Sequence, residues 1–541
     1  PCFPLAKELR KAPQQIAGEL AEAIDLPKGV ERAQAFGPYL NFFIDRPWAM
    51  QRVLSTVRRA ESYGTNDAGA GQDVVVEYSS PNIAKHLGVH HLRGSIIGSA
   101  LVRILRRCSY DVTSMNFLGD WGTGFGKLIA ASERYGIEEP AGLTVDDLQD
   151  LYVRYSGEAE DDEDLEQLAR DAFKRLEDGD PPAVALWETF KQVSLDEFER
   201  VYALLGVEFD EYSGESMYQD EIQAALDGMF EQGVAKESQG AAICELEDPD
   251  GGELPPMMVQ KKDGSSLYAT RDYCAALDRW ERFEFDRSIY VVGNEQALHF
   301  KQLRALLRAM GHDWADRIEH VGFGLMRFRD AETGEDRKGS TRKGDILLLA
   351  NLLEEAIDRA RAKLEANADR LDEDADLGEL ARQVGIGAVI FSELSARRNR
   401  EVVFEWDRAL DFEGDTGPYV QYAHARLCSI LRKAGEPVRE DVDYSLLELP
   451  EEWALVQKLA DLPGVVRKAA DECEPFLVAN YLLELCSVFS TYYSAGMRDE
   501  TRRVICPDDD VRAARLVLVD ATRRVVAGGL ELLGLAAPER M

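Results

Sequence analysis

The pattern of apolar positions predicts two strand–turn–helix units that lie far apart in the chain. The first begins with the continuous apolar run of residues 74–78, VVVEY, which is typical of a strand buried on both faces of a parallel sheet. From Leu92 to Cys108, apolar residues recur at helical spacing. The second unit has an apolar run at 289–292, a turn glycine at 293 and then a helix. Two such crossovers predict a doubly wound parallel α/β sheet.

The rest of the chain predicts an insertion and a separate helical part. Residues of about 130–255, which separate the two units, are acidic and mostly helical, with short strand candidates near 241–246. Long amphipathic helices with no strand signal follow after about residue 380. Near the start, a helix around residues 5–24 precedes an aromatic segment, GPYLNFFIDR. The predicted fold class is therefore α/β with an insertion, followed by an all-α helical bundle.

The charge of the chain excludes one class of function. Ninety-nine acidic and 63 basic residues give a net charge of −36, whereas a protein that binds nucleic acid regardless of sequence needs a basic face. We therefore expect no DNA partner, although reading one structured RNA through local patches is compatible with this charge. The acidic residues are spread along the chain, which favours adaptation to a salty cytoplasm over an acidic interaction surface.

Cysteine use and hydropathy indicate where the protein works. The eight cysteines form no CxxC pair, which is typical of a reduced, cytoplasmic chain and argues against structural zinc. No apolar run is as long as a membrane span, so we expect no membrane partner. The first residues, PCFPLAKELRK, are neither a signal peptide nor an initiator methionine. We therefore expect the chain to start inside a domain.

The turn SSPNIAKHLGVHH, residues 79–91, carries the first candidate chemistry. A helix that begins after a parallel strand offers free backbone N–H groups to phosphate. Gly88 would let the backbone approach a nucleotide closely, and His90, His91 and Lys85 are candidate donors to phosphate oxygens. A metal site is the alternative for the histidine cluster. No acidic or cysteine ligand lies at a suitable helical spacing, so we favour the phosphate interpretation.

A second basic element is the segment DRKGSTRKGD, residues 336–345. Its mixture of lysine and arginine with glycine, serine and threonine predicts a mobile cationic loop. Such a loop can close over a polyphosphate and neutralise the charge that develops as pyrophosphate leaves. The alternative is an ordinary surface turn.

These two elements, in this order and on this scaffold, resemble the HIGH and KMSKS signatures of class I aminoacyl-tRNA synthetases. Longer blocks narrow the resemblance to the arginyl-tRNA synthetase family. The blocks are VEYSSPNIAK (76–85), FLGDWGTGFGKLI (117–129), SLYATRD (266–272), YVVGNEQALHFKQL (290–303), STRKGD (340–345) and RRNREVVFEWDRALDFEGDTGPYVQYAHARL (397–427). The resemblance implies a Rossmann-like catalytic domain over 70–380 and an α-helical anticodon-binding domain over 381–541. It also implies that residues 1–50 are the remnant of an N-terminal tRNA-binding domain.

The resemblance implies an activity as well. The expected reaction is the ATP-dependent ligation of L-arginine to its cognate tRNA through an arginyl-adenylate intermediate. The expected cofactors are ATP and Mg²⁺, the expected partner is arginine tRNA, the chain is expected to be a monomer, and activation of arginine is expected to require tRNA. One alternative is an impaired variant that binds arginine or tRNA without efficient catalysis, and another is a different nucleotide-binding ligase on the same scaffold.

Site residues follow from the resemblance, position by position. The expected catalytic residues are His91, Lys338, Ser340 and Lys85. The expected arginine-binding residues are Glu77, Asn82, Tyr268, Asp272 and Gln296, since a planar guanidinium suits carboxylate acceptors. The expected ATP-binding residues are Gly88, His90, His91, His299 and Lys338, and no protein ligand to a metal is expected. The expected tRNA-binding residues are Tyr419, Tyr422 and Arg426, whose helical spacing suits stacking on splayed bases and equally suits packing within the bundle.

The first signature departs from the family pattern. The family order of histidine, apolar residue, glycine and histidine is GVHH at residues 88–91 here. A side chain at His90 is expected to obstruct the close approach of adenine, and Gly88 offers no side-chain donor to phosphate. Phe117 also stands where the family usually has a polar residue or histidine.

Overall fold

The computed structural model describes residues 1–137, 139–249, 251–262, 268–329, 336–338, 347–366 and 376–541. Of the expected site residues, Ser340 lies outside the described residues, as do the side chains of Tyr268 and Lys338. Within the described ranges, none of the helices is long and apolar enough to cross a membrane.

The first part of the chain is a helix pair followed by a hairpin. Its elements are α1 (Phe3–Leu9), α2 (Pro13–Ala23), β1 (Val30–Phe36) and β2 (Tyr39–Ile44). The single helix expected around residues 5–24 is thus two helices, because Arg10 adopts a left-handed conformation with φ 51° and Pro13 begins α2. The aromatic segment forms the hairpin, in which β1 and β2 pair antiparallel.

The first predicted strand–turn–helix unit follows. The elements are α3 (Arg46–Arg59), β3 (Asp73–Tyr78), α4 (His90–Arg107), β4 (Asp111–Leu118) and α5 (Thr123–Tyr135). α4 packs closely on β3, with Gly98 against the ring of Tyr78. The close approach requires glycine, since a Cβ at position 98 would lie only 2.2 Å from that ring. Val74 and Val76 of β3 and Leu101 of α4 are each at most 1% exposed. Burying a side chain of this kind contributes roughly 1.5–3 kcal/mol.

The insertion is helical with a small antiparallel sheet. Its elements are α6 (Val145–Ala159), α7 (Glu163–Glu177), α8 (Pro181–Leu205), β5 (Glu211–Gly214), α9 (Glu221–Glu231), β6 (Ala235–Ser238), β7 (Ala241–Cys244) and β8 (Met257–Gln260). The strand candidate near 241–246 corresponds to β7, which pairs with β6 and β8. β5 instead joins the parallel sheet beside β4.

The second predicted unit and the return to the sheet come next. The elements are α10 (Tyr268–Phe283), β9 (Arg287–Val291), α11 (Ala297–Ala309), β10 (Ile318–His320), β11 (Met326–Arg329), β12 (Asp336–Lys338) and α12 (Leu349–Glu365). The main sheet has the order β10-β9-β3-β4-β5 with all strands parallel. The chain leaves β3 towards β4 on one side and returns on the other side as β9. The carboxyl ends of β3 and β9 therefore form the switch point at which such sheets bind ligands.

The last part is a helical bundle that packs on α4. Its elements are α13 (Leu377–Leu394), β13 (Val402–Phe404), α14 (Trp406–Ala409), α15 (Gly417–Ala434), α16 (Pro450–Asp471), α17 (Phe476–Arg498) and α18 (Asp509–Leu533). β13 corrects the expectation that no strand follows residue 380: it is three residues long, too short for a periodicity signal, and it pairs parallel with β11. α16 and α18 both contact α4, so one apolar core continues from the sheet into the bundle.

Candidate active site

The loop after β3 holds a strained backbone at the switch point. Ser79, Ser80 and Ala84 all adopt left-handed conformations, with φ of 74°, 51° and 59°. Such a conformation costs a non-glycine residue on the order of 1 kcal/mol, and it persists only where the surroundings fix it. Here the backbone N–H of Ser80 donates to Oδ1 of Asn116 at 3.2 Å. The N–H of Ala84 donates to Oγ of Ser194 at 2.8 Å.

One face of the insertion helix α8 braces this loop and the loop after β4. Ser194 and Tyr202 reach the first loop, with the Tyr202 hydroxyl 2.7 Å from Oγ of Ser79. Trp187 donates to the backbone oxygen of Asp120 at 2.8 Å, and Lys191 donates to its carboxylate at 2.7 Å. These α8 residues recur at helical spacing, so they share a face. The insertion therefore positions both loops that line the switch point.

His86, the first histidine of the cluster, has a structural partnership. Its Nδ1 lies 2.6 Å from Oε1 of Glu197 on α8, and its Nε2 lies 2.9 Å from Oδ1 of Asp146 on α6. Burial alone would lower the pKa of His86, but the two carboxylates raise it above its ordinary value. His86 thus ties the loop to the insertion.

The signature turn places a neutral histidine at the start of α4. The backbone N–H of Gly88 donates to Nδ1 of His91 at 3.1 Å. Burial, with a contribution from His90, lowers the pKa of His91 to about 3. A neutral imidazole that accepts at Nδ1 carries its proton on Nε2, where it can donate. Gly88 is buried, whereas Lys85 and His90 are exposed, and the His90 ring lies 3.9 Å from that of His91.

Residues expected to bind arginine converge on the same switch point. Glu77 lies in β3, Asn82 in the following loop and Gln296 in the turn after β9. Asn82 lies against Gly119 of the loop after β4. A side chain at position 119 would not fit, because its Cβ would lie only 2.0 Å from the amide oxygen of Asn82. Asn82 and Gln296 are both exposed. The structure thus brings these side chains to one edge of the sheet.

Asp272 and His299 face each other across this edge. Oδ2 of Asp272 on α10 lies 2.5 Å from Nε2 of His299 on α11. Burial alone would lower the pKa of His299, but the Asp272 carboxylate raises it above its ordinary value. We expected His299 to bind ATP and Asp272 to bind arginine. In the structure the two side chains instead contact each other. Tyr268 is the first residue of α10, and its side chain lies outside the described residues.

Sequence reasoning missed two charged residues of the site. Arg279 on α10 is 1% exposed, and its Nη2 lies 2.5 Å from Oε2 of Glu77. Glu215, which follows β5, is 6% exposed, and burial raises its pKa to about 7. A signal for Arg279 was present, since it lies seven residues after Asp272 and so on the same face of one helix. Nothing in the local sequence singled out Glu215.

A buried arginine joins the start of α4 to the beginning of the helical bundle. Nη1 of Arg93 donates to the backbone oxygens of Gly324 at 2.7 Å and Arg400 at 2.5 Å. Its Nε lies 3.3 Å from Oε2 of Glu393 on α13. Both side chains are 1% exposed, and burial raises the pKa of Glu393 to about 7. The helix that begins at the signature turn is thus anchored to the bundle.

The bundle contains a cationic, aromatic cavity of about 650 Å³ between α15 and α17. The Arg426 guanidinium lies 4.6 Å from the ring centre of Tyr422 and 4.9 Å from that of Tyr493. The cavity is also lined by the cationic residues Arg432, Lys433, Arg502 and Arg503. Tyr419 lines a neighbouring cavity of about 620 Å³ rather than this one. Two of the three expected tRNA-binding residues therefore share one cavity.

Comparison with known families agrees with this arrangement along the chain. Residues 52–406 match the model described as tRNA synthetases class I (R), catalytic domain. Residues 420–541 match the DALR anticodon binding domain, and residues 1–44 match the arginyl tRNA synthetase N terminal domain. The chain belongs to the arginyl-tRNA synthetase family. Its catalytic domain has the class I fold with a parallel sheet, and the bundle from α15 onwards corresponds to the family's anticodon-binding domain, whereas α13 and β13 lie within the catalytic match.

Individual relatives support the same activity. The chain is 43% identical over 544 residues to the arginine–tRNA ligase of Clostridium botulinum (strain Alaska E43 / Type E3), covering all of this chain and 93% of that protein. The Thermus thermophilus arginyl-tRNA synthetase structure matches with TM-score 0.80 and 30% identity over 100% of this chain and 94% of that one. The Plasmodium falciparum structure matches in fold, with TM-score 0.78, 23% identity and coverage of 99% and 90%. The function within this family is the ATP-dependent ligation of L-arginine to tRNA.

Proposed function

We propose that the chain activates L-arginine at the carboxyl ends of β3 and β9 and transfers it to the terminal ribose of its tRNA. The arginine carboxylate attacks the α-phosphorus of ATP, the bond to the β-phosphate oxygen breaks, and arginyl-adenylate and pyrophosphate form. The tRNA hydroxyl then attacks the arginyl carbonyl and AMP leaves. The observation that carries this proposal is the convergence of Glu77, Asn82 and Gln296 at the switch point beside the signature turn.

The amino-acid pocket offers complementary groups for each end of arginine. We assign the Asp272 carboxylate as the acceptor of the guanidinium, which would take the place of His299 there, with Glu77 of β3 close enough to interact with Asp272 electrostatically. The exposed amides of Asn82 and Gln296 offer acceptors for the ammonium and donors for the carboxylate. Tyr268, one turn before Asp272 on α10, is proposed as a further contact on that face.

The ATP side needs charge stabilisation rather than a protein nucleophile. We assign the Nε2–H of His91 as a donor to a phosphate oxygen, and the exposed Lys85 as a mobile cation beside it. Gly88 and His90 border this turn. Lys338 and Ser340 belong to the proposed second signature, and the backbone of Lys338 lies in β12. The roles proposed for these two side chains rest on the sequence alone.

Magnesium is proposed to arrive with ATP. Within the described ranges, no group of three or more His, Cys, Asp or Glu side chains is placed to hold a metal ion. Mg²⁺ typically keeps several waters and binds through substrate phosphates rather than through an all-protein cage. We propose that the ion enters the site as part of the MgATP substrate. The ion would neutralise part of the charge of the pyrophosphate leaving group.

We propose the cavity around Arg426 as a tRNA-binding site. The whole chain carries a net charge of −36, yet five arginine or lysine residues line this cavity. Tyr422 and Tyr493 flank the Arg426 guanidinium, so aromatic and cationic planes are available for unstacked bases. Tyr419 would contact the same RNA from the neighbouring cavity. We further propose a cytoplasmic monomer that is adapted to high salt.

The test is arginine-dependent exchange of pyrophosphate into ATP, measured with and without arginine tRNA in high salt. Exchange that requires arginine, together with charging of the tRNA, is the expected result. The alternative function, an impaired variant that binds arginine or tRNA, predicts retained arginine binding without exchange. That outcome would overturn the enzymatic proposal for this chain. The altered turn at residues 88–91 is the observation that favours the alternative.

A further inference from the structure

The buried arginine Arg279 lies beside the amino-acid pocket and has no part in the reaction described so far. Its Nη2 forms a 2.5 Å ion pair with Oε2 of Glu77. Its Nε and Nη1 are buried and have no hydrogen-bond partner among the described residues. A desolvated charge is costly unless a counter-charge compensates it. The ion pair with Glu77 is therefore what keeps this guanidinium in place.

Two aromatic rings enclose the same guanidinium. Its central carbon lies 5.4 Å from the ring centre of Phe117 in β4 and 5.1 Å from that of Tyr290 in β9. Both distances are within the range of a cation–π contact, which gains strength when water is excluded. Phe117 and Tyr290 flank β3, since β4 and β9 are its two neighbours in the sheet. The rings therefore fix Arg279 directly beside the Glu77 carboxylate.

Glu77 depends on this partner for its charge. Burial raises the pKa of Glu77 above its ordinary value; the positive charge of Arg279 opposes this rise, and the negative charge of Asp272 adds to it. Without Arg279, burial and Asp272 would act together to favour the protonated carboxyl. The second oxygen, Oε1, accepts a hydrogen bond from the Ser80 hydroxyl at 3.3 Å. Arg279 therefore pairs with Oε2 of Glu77, while Oε1 faces the loop after β3.

We propose that Arg279 is a positioning residue for arginine recognition: its ion pair with Oε2 holds the Glu77 carboxylate turned so that Oε1 meets the substrate guanidinium. This inference rests on the proposed function, in which Glu77 and Asp272 bind that guanidinium. The Glu77–Arg279 pair is neutral as a whole, so Asp272 supplies the attraction for the substrate cation. Glu77 supplies a fixed acceptor that defines the orientation of the substrate.

The first test compares Glu77→Gln with the double variant Glu77→Gln/Arg279→Met by direct binding of labelled arginine. In the single variant Arg279 remains as an uncompensated cation beside the pocket and repels the substrate. We expect its Kd for arginine to rise about 100-fold, the size of breaking one partner of a buried pair. The double variant removes both charges, and its Kd should be about tenfold lower than that of the single variant. Equal or weaker binding by the double variant would overturn the inference.

The second test is the pH dependence of arginine binding in Arg279→Met. Loss of the cation removes what opposes burial and Asp272, so the pKa of Glu77 should rise further, and the Kd for arginine should fall more steeply with rising pH than in the unmodified chain. His299 titrates beside Asp272 in every variant, so Arg279→Lys, which keeps a positive charge, should show only the pH dependence of the unmodified chain. A profile in Arg279→Met that matches the unmodified chain, with binding unchanged, would contradict the inference. If Arg279→Met does not fold, the comparison of Glu77→Gln with Glu77→Gln/Arg279→Met still tests the inference.

Arg282 provides a matched control on the same helix. It pairs with Glu211 and Asp278 on the partly exposed side of α10. Arg282→Met removes an arginine of the same size, and its Kd for arginine should stay within about twofold of the unmodified chain. A chain that binds arginine and fails in pyrophosphate exchange would refute the proposed enzyme, but not the role of Arg279. A chain active in exchange, in which both Arg279 tests fail, would refute the role of Arg279 alone.

Discussion

The backbone N–H of Gly88 donates a hydrogen bond to Nδ1 of His91, 3.1 Å away. The bond links the first and last residues of the signature turn and fixes the tautomer of the histidine, so its remaining N–H is on Nε2. Because burial lowers the pKa of His91 to about 3, the ring stays neutral at every pH at which the enzyme is assayed. The turn is therefore built to donate a hydrogen bond, rather than to supply a charge or bind a metal.

The first prediction concerns His91. Replacement by alanine removes the Nε2–H donor, and we expect kcat for arginine activation to fall about 100-fold, the usual cost of losing one preorganised donor. His91→Gln retains a side-chain N–H and should lose less. Since the ring is neutral, the pH profile of kcat should show no inflection from His91 above about pH 5. Pyrophosphate exchange measures all three quantities, and an inflection that disappears in His91→Gln would contradict a neutral donor.

The second prediction concerns the order of residues within the turn. Exchange of Gly88 and His90 restores an open backbone at position 90 and adds a side-chain donor at position 88. We expect activation to rise roughly tenfold, the effect of one additional hydrogen bond in the transition state. His90→Gly alone separates the two contributions, because it opens the backbone without adding the donor. An unchanged or lower rate in the exchanged variant would show that the turn does not limit activation.

The third prediction concerns the brace from α8. Ser194→Ala leaves the buried N–H of Ala84 without its acceptor, and we expect a loss of about 1–3 kcal/mol in the free energy of unfolding. Because Ala84 is left-handed, the loop should relax, and kcat for activation should fall with it. Thr189→Ala is the matched control on α8, since its hydroxyl donates to the backbone oxygen of Ala185 within the same helix. Urea unfolding and exchange kinetics compare them, and equal effects would argue against a brace.

The fourth prediction is a pH dependence of stability from His86. Its folded pKa is raised above the ordinary value by Glu197 and Asp146, so its stabilising effect is complete below the unfolded pKa. That effect is lost as the pH rises through the folded pKa. The difference in free energy of unfolding between the unmodified chain and His86→Gln should therefore shrink between about pH 6 and about pH 9. His90, whose pKa is lowered by partial desolvation of its ring, destabilises the fold only as the pH falls below its ordinary pKa, so the difference for His90→Gln should change only below about pH 6.5.

The fifth prediction concerns the bundle cavity. Tyr422→Ala should weaken tRNA binding by about tenfold, the usual effect of losing one aromatic stacking platform. Arg426→Ala should weaken binding and reduce its dependence on salt. Neither change should alter the binding of free arginine. Arg467, which pairs with Asp471 on the exposed side of α16, provides the control. Equal loss in Arg467→Ala would show that tRNA binding does not use the cavity.

Periodicity predicted the elements that carry the site. Residues 74–78 and the helix after Leu92 follow from local apolar spacing, because a strand buried on both faces and a helix in the core leave distinct patterns. The partnership of Glu77 with Arg279 could not be predicted in this way. It depends on β9 returning beside β3 and on α10 packing against them, which is tertiary information. The hydrogen bond from Ala84 to Ser194 could not be predicted from the sequence for the same reason, since it depends on how α8 packs against the loop after β3.

The anchoring of Arg93 has a consequence for how the molecule unfolds. Its guanidinium is compensated by Glu393 and by backbone oxygens of Gly324 and Arg400, which lie on both sides of the junction between sheet and bundle. A catalytic half separated from the bundle would retain a desolvated cation with part of its partners removed. We therefore expect a fragment that ends before α13 to be less stable than one that keeps Glu393 and Arg400.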